Sequence, residues 1–312
     1  MSGIPLLSGR DVERAVPPGR ALDAVRDAFV RFARGEWTMQ PKLYVTNYPA
    51  GDFRAMPALG GGHALLKWVT SFPGNPARGL PTVSGLVVLS DAETGMPEAV
   101  LDAASVTALR TGAAAAVAAE ALARPDADTF AVVGTGVNGE AAARMLAAPG
   151  RVPLLWDLDA ERARGVAERV GGRIATREEA LGADVVVTVT PGKSVLFGDG
   201  SLREGQHVSL MGADGPGKAE VTVGELSRGR LFADDWEQAS HGGELAAAVA
   251  AGTVSRADVT MLGDVLAGTA DGRRSRAEIT LFDSTGLAIQ DLAIALAAVE
   301  RLDELDLPRF EP

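Results

Sequence analysis

Between residues 11 and 35 apolar side chains recur at helical spacing, with Leu22, Val25, Phe29 and Phe32 on one face and charges between them; this predicts one amphipathic helix. From about 39 to 101 the texture changes to short β-rich runs broken by Gly and Pro. Lys42–Thr46, Ala64–Thr70 and Val83–Leu89 are examples, followed by a turn at Asp91–Gly95. That pattern predicts a sheet rather than alternating strands and helices. An Ala-rich stretch over 104–123 predicts a long helix stopped by Arg124-Pro125. Beyond it the period alternates: a strand at Thr129–Val133, a helix at Asn138–Leu146 and a strand at Val152–Trp156. A helix at Asp159–Val170 follows, with Ala163, Val166 and Val170 facing inward. Asp184–Thr190 and His207–Met211 are nearly continuous apolar runs, the kind a parallel sheet buries on both faces. The alternation predicts a doubly wound domain over about 126–280, and Asp291–Leu302 reads as a last amphipathic helix. No internal repeat interrupts this order.

The 312 residues have room for two domains of roughly 150 residues. A hydrophobic fraction of 46% with 5% aromatics gives an Ala/Val/Leu core. A net charge of −11 argues against nucleic acid and anionic membrane surfaces, both of which need clustered Lys and Arg. The chain has no cysteine, which excludes disulfides, thiolate metal sites and a cysteine nucleophile. His63, His207 and His241 are too scattered for a metal-ligand spacing, and no metal is expected. The N-terminus lacks the pattern of a signal peptide, and no apolar run reaches the ~18 residues of a membrane span, so a cytoplasmic protein is expected.

The chemistry begins at Val132-Val133-Gly134-Thr135-Gly136-Val137-Asn138-Gly139. A lone G-x-G-x-x-G means little, but this one follows an apolar strand and opens a helix, and an acidic residue, Asp157, ends the next strand. Each part has a task in holding a dinucleotide. Gly134 permits the tight turn, Gly136 lets backbone approach a pyrophosphate, and Gly139 permits close packing of helix on strand. The helix N-terminus offers N–H groups and partial positive charge to phosphate. Asp157 accepts hydrogen bonds from ribose hydroxyls and repels a 2′-phosphate, which favours NAD(H), while Arg162 or Arg164 beside it leaves NADP(H) open. The bland alternative is a glycine-rich turn that binds no nucleotide.

With that motif placed, further segments resemble the ornithine cyclodeaminase/mu-crystallin family, which includes alanine dehydrogenases, ketimine reductases and a hormone-binding member. They are Arg54-Ala-Met-Pro-Ala58, Lys67-Trp-Val-Thr-Ser-Phe-Pro73, Gly79-Leu-Pro-Thr-Val83 and Asp91-Ala-Glu-Thr-Gly-Met-Pro97. Ala108-Leu-Arg-Thr-Gly-Ala113, Gly212-Ala-Asp-Gly-Pro-Gly-Lys218 and Phe282-Asp-Ser-Thr-Gly-Leu-Ala-Ile-Gln-Asp291 complete the set, in the family's order over most of the chain. The resemblance implies an α/β fold with a doubly wound Rossmann NAD(P)-binding domain at 125–284. A β-rich α+β domain for substrate and dimerisation would take 1–124 with 285–312, giving a homodimer.

The resemblance also implies the site. Lys67 and Asp214 would be catalytic, and Lys42, Arg54, Met56, Lys67, Thr82 and Arg110 would bind substrate. Thr82, Arg110 and Thr111, with Gly134, Thr135, Gly136, Val137, Asn138, Gly139 and Asp157, would bind the cofactor. Thr188, Val189, Thr190, Met211, Gly212, Ser284 and Gly286 would do so as well. Lys67 would hold the carboxylate and polarise the imine carbon, or move a proton if burial lowers its pKa. Arg110 offers a planar fork to a carboxylate, and Asp214 would serve as acid or base at the nitrogen or at water. Structural alternatives stand beside each role. Alternation along Leu65-Leu66-Lys67-Trp68-Val69 allows Lys67 to face solvent, Arg110 could pair with Glu120 or Asp102, and Asp214 could simply brace its turn. Asp283 and Asp291 read as a turn residue and a helix-face charge, and the histidines as structural.

Members that cyclise ornithine carry an acid where this chain has Arg54, and a cation there would repel an ornithinium by about 1–4 kcal/mol at ~4 Å. Lys42, Arg54, Lys67 and Arg110 predict a strongly cationic pocket for a small amino, imino or oxo acid. The expected activity is NAD(P)H-dependent interconversion of an amino acid with its imino acid, as in alanine dehydrogenase or ketimine reductase. Ornithine cyclodeamination and a non-catalytic, crystallin-like cofactor binder are the alternatives.

Overall fold

The computed structural model describes residues 3–311 apart from Pro149, Lys193, Asp214 and Pro216. It divides into two compact units, Met1–Arg110 with Leu287–Pro312, and Thr111–Gly286. The division falls within one continuous helix and not at Arg124-Pro125, because a helix that crosses a boundary leaves no loop for the sequence to signal.

The first unit is built on a mixed sheet. Its strands are β1 (Ile4–Leu7), β2 (Thr38–Met39), β3 (Leu43–Asn47), β4 (Gly51–Gly60), β5 (His63–Ser71), β6 (Val83–Asp91) and β7 (Pro97–Asp102). β4, β5, β6 and β7 form an antiparallel meander; β1 joins β7 in parallel and the strand Arg309–Phe310 closes that edge. The predicted helix over 11–35 is two helices, α1 (Gly9–Ala15) and α2 (Pro18–Ala33). Pro17 and Pro18 break it, since neither has an N–H to continue a helix, and Pro18 starts the second one instead. Ala21, Val25, Ala28 and Phe29 form its buried stripe. The C-terminal helix, Ala288–Val299, packs on α2 and on the sheet. It is not amphipathic as expected: ten of its residues are buried, Asp291 included, which is the condition of a helix enclosed by its own unit.

The long helix α3 (Ala103–Leu122) leads into the second unit. There β8 (Phe130–Val133), α4 (Val137–Leu146), β9 (Leu154–Trp156) and α5 (Ala160–Val170) alternate as the sequence predicts. They are followed by β10 (Arg173–Ile174), β11 (Val185–Thr188), β12 (His207–Leu210), β13 (Arg230–Ala233), β14 (Val259–Met261) and β15 (Thr280–Asp283). All pair in parallel, in the order β10-β9-β8-β11-β12-β15-β13-β14. Every residue of β8, β11, β12 and β15 is buried, so these strands must be covered on both faces. His207 is held inside the sheet by Thr280 Oγ1 and Ser209 Oγ, each 3.0 Å away, and burial drives its pKa down to about 3, so it stays neutral. Among the described residues no helix is long and apolar enough to cross a membrane.

Candidate active site

The turn after β8 shows why its glycines are glycines. Gly134 has φ +95°, and a Cβ there would stand 2.7 Å from Val189 O. A Cβ on Gly139 would lie 1.9 Å from Gly134 O, so α4 approaches the turn closely only because Gly139 has no side chain. A Cβ on Gly136 would meet nothing within 4 Å. Gly136 is the N-cap of α4, and no side chain caps it. Open space before uncapped N–H groups is what a pyrophosphate requires, so these residues fit a dinucleotide. Val137 and Asn138 open the helix. Glu140, the acid in its first turn, is turned onto Arg144 and Arg169, at 2.6 and 2.7 Å.

Asp157, just after β9, faces the same turn. Its carboxylate accepts from Thr135 N (2.6 Å), Thr135 Oγ1 (3.0 Å) and Asp159 N (2.9 Å), and from Arg162 Nη2 at 2.7 Å. Burial alone would push this carboxyl up, but the bonds from Arg162, Thr135 and Asp159 outweigh it and bring it to about 2. Asp157 is therefore a fixed anion tied to the glycine turn.

The remaining predicted cofactor residues of this unit follow the same edge of the sheet. Thr188 ends β11 and leads into Val189 and Thr190; Met211 and Gly212 follow β12; Ser284 and Gly286 follow β15. Because β9, β8, β11, β12 and β15 are consecutive neighbours, Asp157, the glycine turn and these three loops line up along the carboxyl ends of five adjacent parallel strands. Two acids absent from the prediction hold the loops from behind. Glu220 accepts from Thr188 Oγ1 at 2.5 Å. Asp234 accepts from Ser284 Oγ at 3.0 Å, Thr285 Oγ1 at 3.2 Å and Gly286 N at 2.8 Å. Thr111 is buried on α3, and its Oγ1 has no hydrogen-bond partner among the described residues.

In the first unit, alternation sends Leu66 and Trp68 outward and Leu65, Lys67 and Val69 inward, so the solvent-facing reading of Lys67 is reversed. Lys67 is 1% exposed, pairs in register with Met56 on β4, and donates to Asp291 Oδ1 at 2.9 Å. Asp291 is fully buried, which corrects its reading as a helix-face charge; the same oxygen stands 3.4 Å from Arg110 Nε. Arg110 thus pairs with neither Glu120 nor Asp102, whose carboxylate accepts from Ser105. The Arg110 Nε and the second oxygen of Asp291 are buried without a hydrogen-bond partner among the described residues. Burial lowers the Lys67 ammonium to about 8; Asp291 opposes the shift, and Arg110 and Lys42 add to it. Arg54, on the same sheet face as Met56 and Lys67, grips Asp52 through Nε at 2.6 Å and Nη2 at 3.3 Å and lies over the Tyr44 ring. The cluster is therefore less cationic than predicted, since Asp52 and Asp291 offset part of its charge. Thr82 is exposed on the segment before β6, with its carbonyl accepting from Phe72 N. Asp214 lies outside the described residues.

Sequence reasoning missed Asp291, Asp52, Glu220 and Asp234. The signal was present only for Asp291, as a lone charge in an otherwise apolar helix. His63 bonds Gly61 O and Glu98, and His241 bonds Glu237 O, so both have structural partners. No cluster of metal-binding side chains occurs among the described residues.

A parallel sheet of this order, with a glycine turn after its first strand and an acid after its second, defines a Rossmann-type dinucleotide-binding protein. The family model for the ornithine cyclodeaminase/mu-crystallin family matches residues 6–305. Alanine dehydrogenase from Archaeoglobus fulgidus is 42% identical over 309 residues, covering 95% of this chain and 94% of that protein. A solved archaeal alanine dehydrogenase dimer with bound NAD has a TM-score of 0.93 at 40% identity, with 99% of each chain covered. The Δ1-pyrroline-2-carboxylate reductase of Thermococcus litoralis, solved with NADH and L-proline, has a TM-score of 0.92 at 26% identity, covering 98% of this chain and 100% of that one. The chain belongs to the ornithine cyclodeaminase/mu-crystallin family.

Proposed function

We propose that the protein is an NAD(H)-dependent oxidoreductase that interconverts a small amino acid with its imino acid. The observation that carries this reading is the row formed by Asp157, the glycine turn and the loops at Thr188–Thr190, Met211–Gly212 and Ser284–Gly286 along one sheet edge. NAD(H), when bound, supplies the hydride acceptor or donor. Asp157 selects NAD(H) because its fixed negative charge opposes a 2′-phosphate. Arg162, half exposed beside it, keeps NADP(H) within reach.

The first unit supplies the charges for an amino or imino acid. Lys67 and Arg110 hold the substrate carboxylate, with Lys42 and Arg54 adding to the field. Met56, the cross-strand neighbour of Lys67, gives the pocket an apolar wall. A Lys67 ammonium near pKa 8 is also poised to give up or take a proton close to neutral pH. Asp214 is the second acid/base, at the substrate nitrogen or at water. In these assignments residues 1–124 with 285–312 bind substrate and form a homodimer, and residues 125–284 bind the dinucleotide. Asp52 beside Arg54 weakens the repulsion of a second ammonium, so a diamino acid belongs in any substrate test.

The test follows the near-ultraviolet absorbance of reduced nicotinamide with purified protein. One arm uses NAD or NADP with L-amino acids including alanine and ornithine; the other uses NADH or NADPH with pyruvate plus ammonia, and with cyclic imines. Turnover on a small amino or imino acid is expected, with kcat/KM falling about 10²–10⁴-fold in Lys67→Met and Asp214→Asn. Release of ammonia and proline from ornithine without net cofactor reduction would instead assign cyclodeamination.

A further inference from the structure

Five carboxyl groups of the second unit that take no part in the reaction proposed above are almost completely buried among the described residues; Glu225 holds Gly200, Leu202 and Arg228, and the other four are Glu220 (0% exposed), Glu244 (1%), Asp283 (1%) and Asp234 (2%). These four form a chain behind the loops of the sheet edge. Glu220 Oε2 accepts from Thr188 Oγ1, and its Oε1 accepts from Thr190 N at 3.3 Å and from Thr190 Oγ1. The Gly212 N–H also reaches this carboxylate. The fit is tight: a Cβ on Gly212 would stand 2.6 Å from both Glu220 Oε1 and Thr190 O. Behind Glu220, its own N–H and that of Val221 both donate to Glu244 Oε1 at 2.7 Å. The next residue, Leu245, donates its N–H to Asp283 Oδ2 at 3.1 Å. Asp283 ends β15, and the loop that follows it is bound by Asp234.

Such a cluster is costly. Buried carboxyls lose their hydration, and apolar packing of the same volume would be cheaper. Glu244 Oε2 and Asp283 Oδ1 even lack a hydrogen-bond partner among the described residues. What a carboxylate does, and an apolar side chain does not, is accept several hydrogen bonds at once from two separate loops. Glu220 joins the loop after β11 to the loop after β12, and the first of these rests on the glycine turn, since Val189 O abuts Gly134.

We propose that Glu220 is a positioning residue for the dinucleotide: it locks the Thr188–Thr190 and Gly212 loops in the conformation that receives the cofactor, with Glu244, Asp283 and Asp234 as the frame behind it. This rests on the assignment of that sheet edge to NAD(H). Glu220 needs no contact with the cofactor, and its effect passes through Thr190 and Gly212.

The test is Glu220→Gln, which keeps the shape and one acceptor oxygen but replaces the other with an N–H₂. NADH affinity is measured by fluorescence, KM and kcat with an active amino or imino acid, and amide hydrogen exchange at residues 188–190 and 212 without cofactor. The dissociation constant and KM for NADH should rise about tenfold or more, with kcat at saturating cofactor changed less than about threefold. Exchange at those amides should quicken, and Glu220→Asp, which restores an acceptor, should recover part of the affinity. A folded Glu220→Gln protein with NADH affinity within about twofold of wild type overturns the proposal, and so does loss of thermal stability alone with binding unchanged. If the variant does not fold, Thr188→Val removes one anchor of Glu220 at a fully buried side chain, and is read by amide exchange at residues 190 and 212 beside NADH affinity. Weaker NADH binding is then expected, and unchanged binding overturns the proposal. Wild-type protein that binds neither NADH nor NADPH would defeat the functional assignment itself, an outcome distinct from a variant that binds as wild type does.

Discussion

At the residue scale, Lys67 is governed by two opposed effects, burial that favours its neutral form and Asp291 that favours its charged form. Burial wins, and the ammonium titrates near pH 8 in the folded protein against about 10.4 in an unfolded chain. Between those values the unfolded chain holds a proton that the folded one has released, so stability rises with pH across that window. Lys67→Met should abolish the rise, which chemical denaturation at several pH values measures. In the role proposed for Lys67 its protonated form would hold the substrate carboxylate, so kcat/KM for imine reduction should fall as pH rises through about 8. Asp291→Asn removes a carboxylate that favours the charged form of Lys67, and that limb should move to lower pH. The same variant strands two buried cations and should cost roughly 3–5 kcal/mol of stability. An unmoved limb in a folded Asp291→Asn protein would show that another group sets the pH dependence. Lys67 and Arg110 could be named from the sequence because their segments resemble family motifs. Asp291 also ends a family-like segment, but its pairing was not legible, because a charge in an apolar helix meets its partner across 224 residues of chain, and local periodicity carries no information about that distance.

At the scale of elements, the β8–turn–α4 unit was legible because its constraint is local. Gly139 lies under Gly134 O five residues away in sequence, so spacing alone encodes the contact. Gly139→Ala tests it. Alanine gains up to about 1 kcal/mol of helix propensity, but its Cβ would stand 1.9 Å from a backbone oxygen that has no flexible end to yield. Overpacking of this kind costs about 1–3 kcal/mol even where side chains can adjust, so the net effect should be a lower Tm together with weaker NADH binding. A variant as stable as wild type and equally tight for NADH would mean that α4 does not need its close approach. Other elements were illegible for physical reasons. β13, β14 and β15 are short and interrupted by Arg230, Thr260, Thr280 and Asp283, so no continuous apolar run marks them as one marks β8, β9 and β11. β15 enters the sheet between β12 and β13, an order that no local pattern specifies. The C-terminal helix looked amphipathic over Asp291–Leu302, which takes in Asp291, Glu300 and Arg301, yet the helix ends at Val299 and Asp291 is buried.

At the scale of the whole molecule, one sheet face of the first unit carries a row of exposed apolar side chains. Register places Leu43 and Val45 of β3, Phe53 and Ala55 of β4, Leu66 and Trp68 of β5, and Leu86 of β6 on that face, with Phe53 stacked on Trp68 at 5.8 Å. Leu43, Val45, Leu66, Trp68 and Leu86 are each 42–58% exposed. An isolated leucine on a surface needs no explanation, but a contiguous patch over four strands marks an association site. The homodimer proposed above would set a second copy of this chain on that face; the solved archaeal alanine dehydrogenase is itself a dimer. The sequence showed the alternation that creates this face but not which side of the sheet the C-terminal helix covers, so the patch itself could not be read there. Introducing a charge at its centre is the direct test. Trp68→Glu places a carboxylate against its own counterpart or against apolar surface, both unfavourable in a buried interface. Light scattering behind size-exclusion chromatography should report a dimer for wild type and a monomer for Trp68→Glu, with the exposed position sparing the fold. A variant that stays dimeric would move the interface to another surface of the molecule.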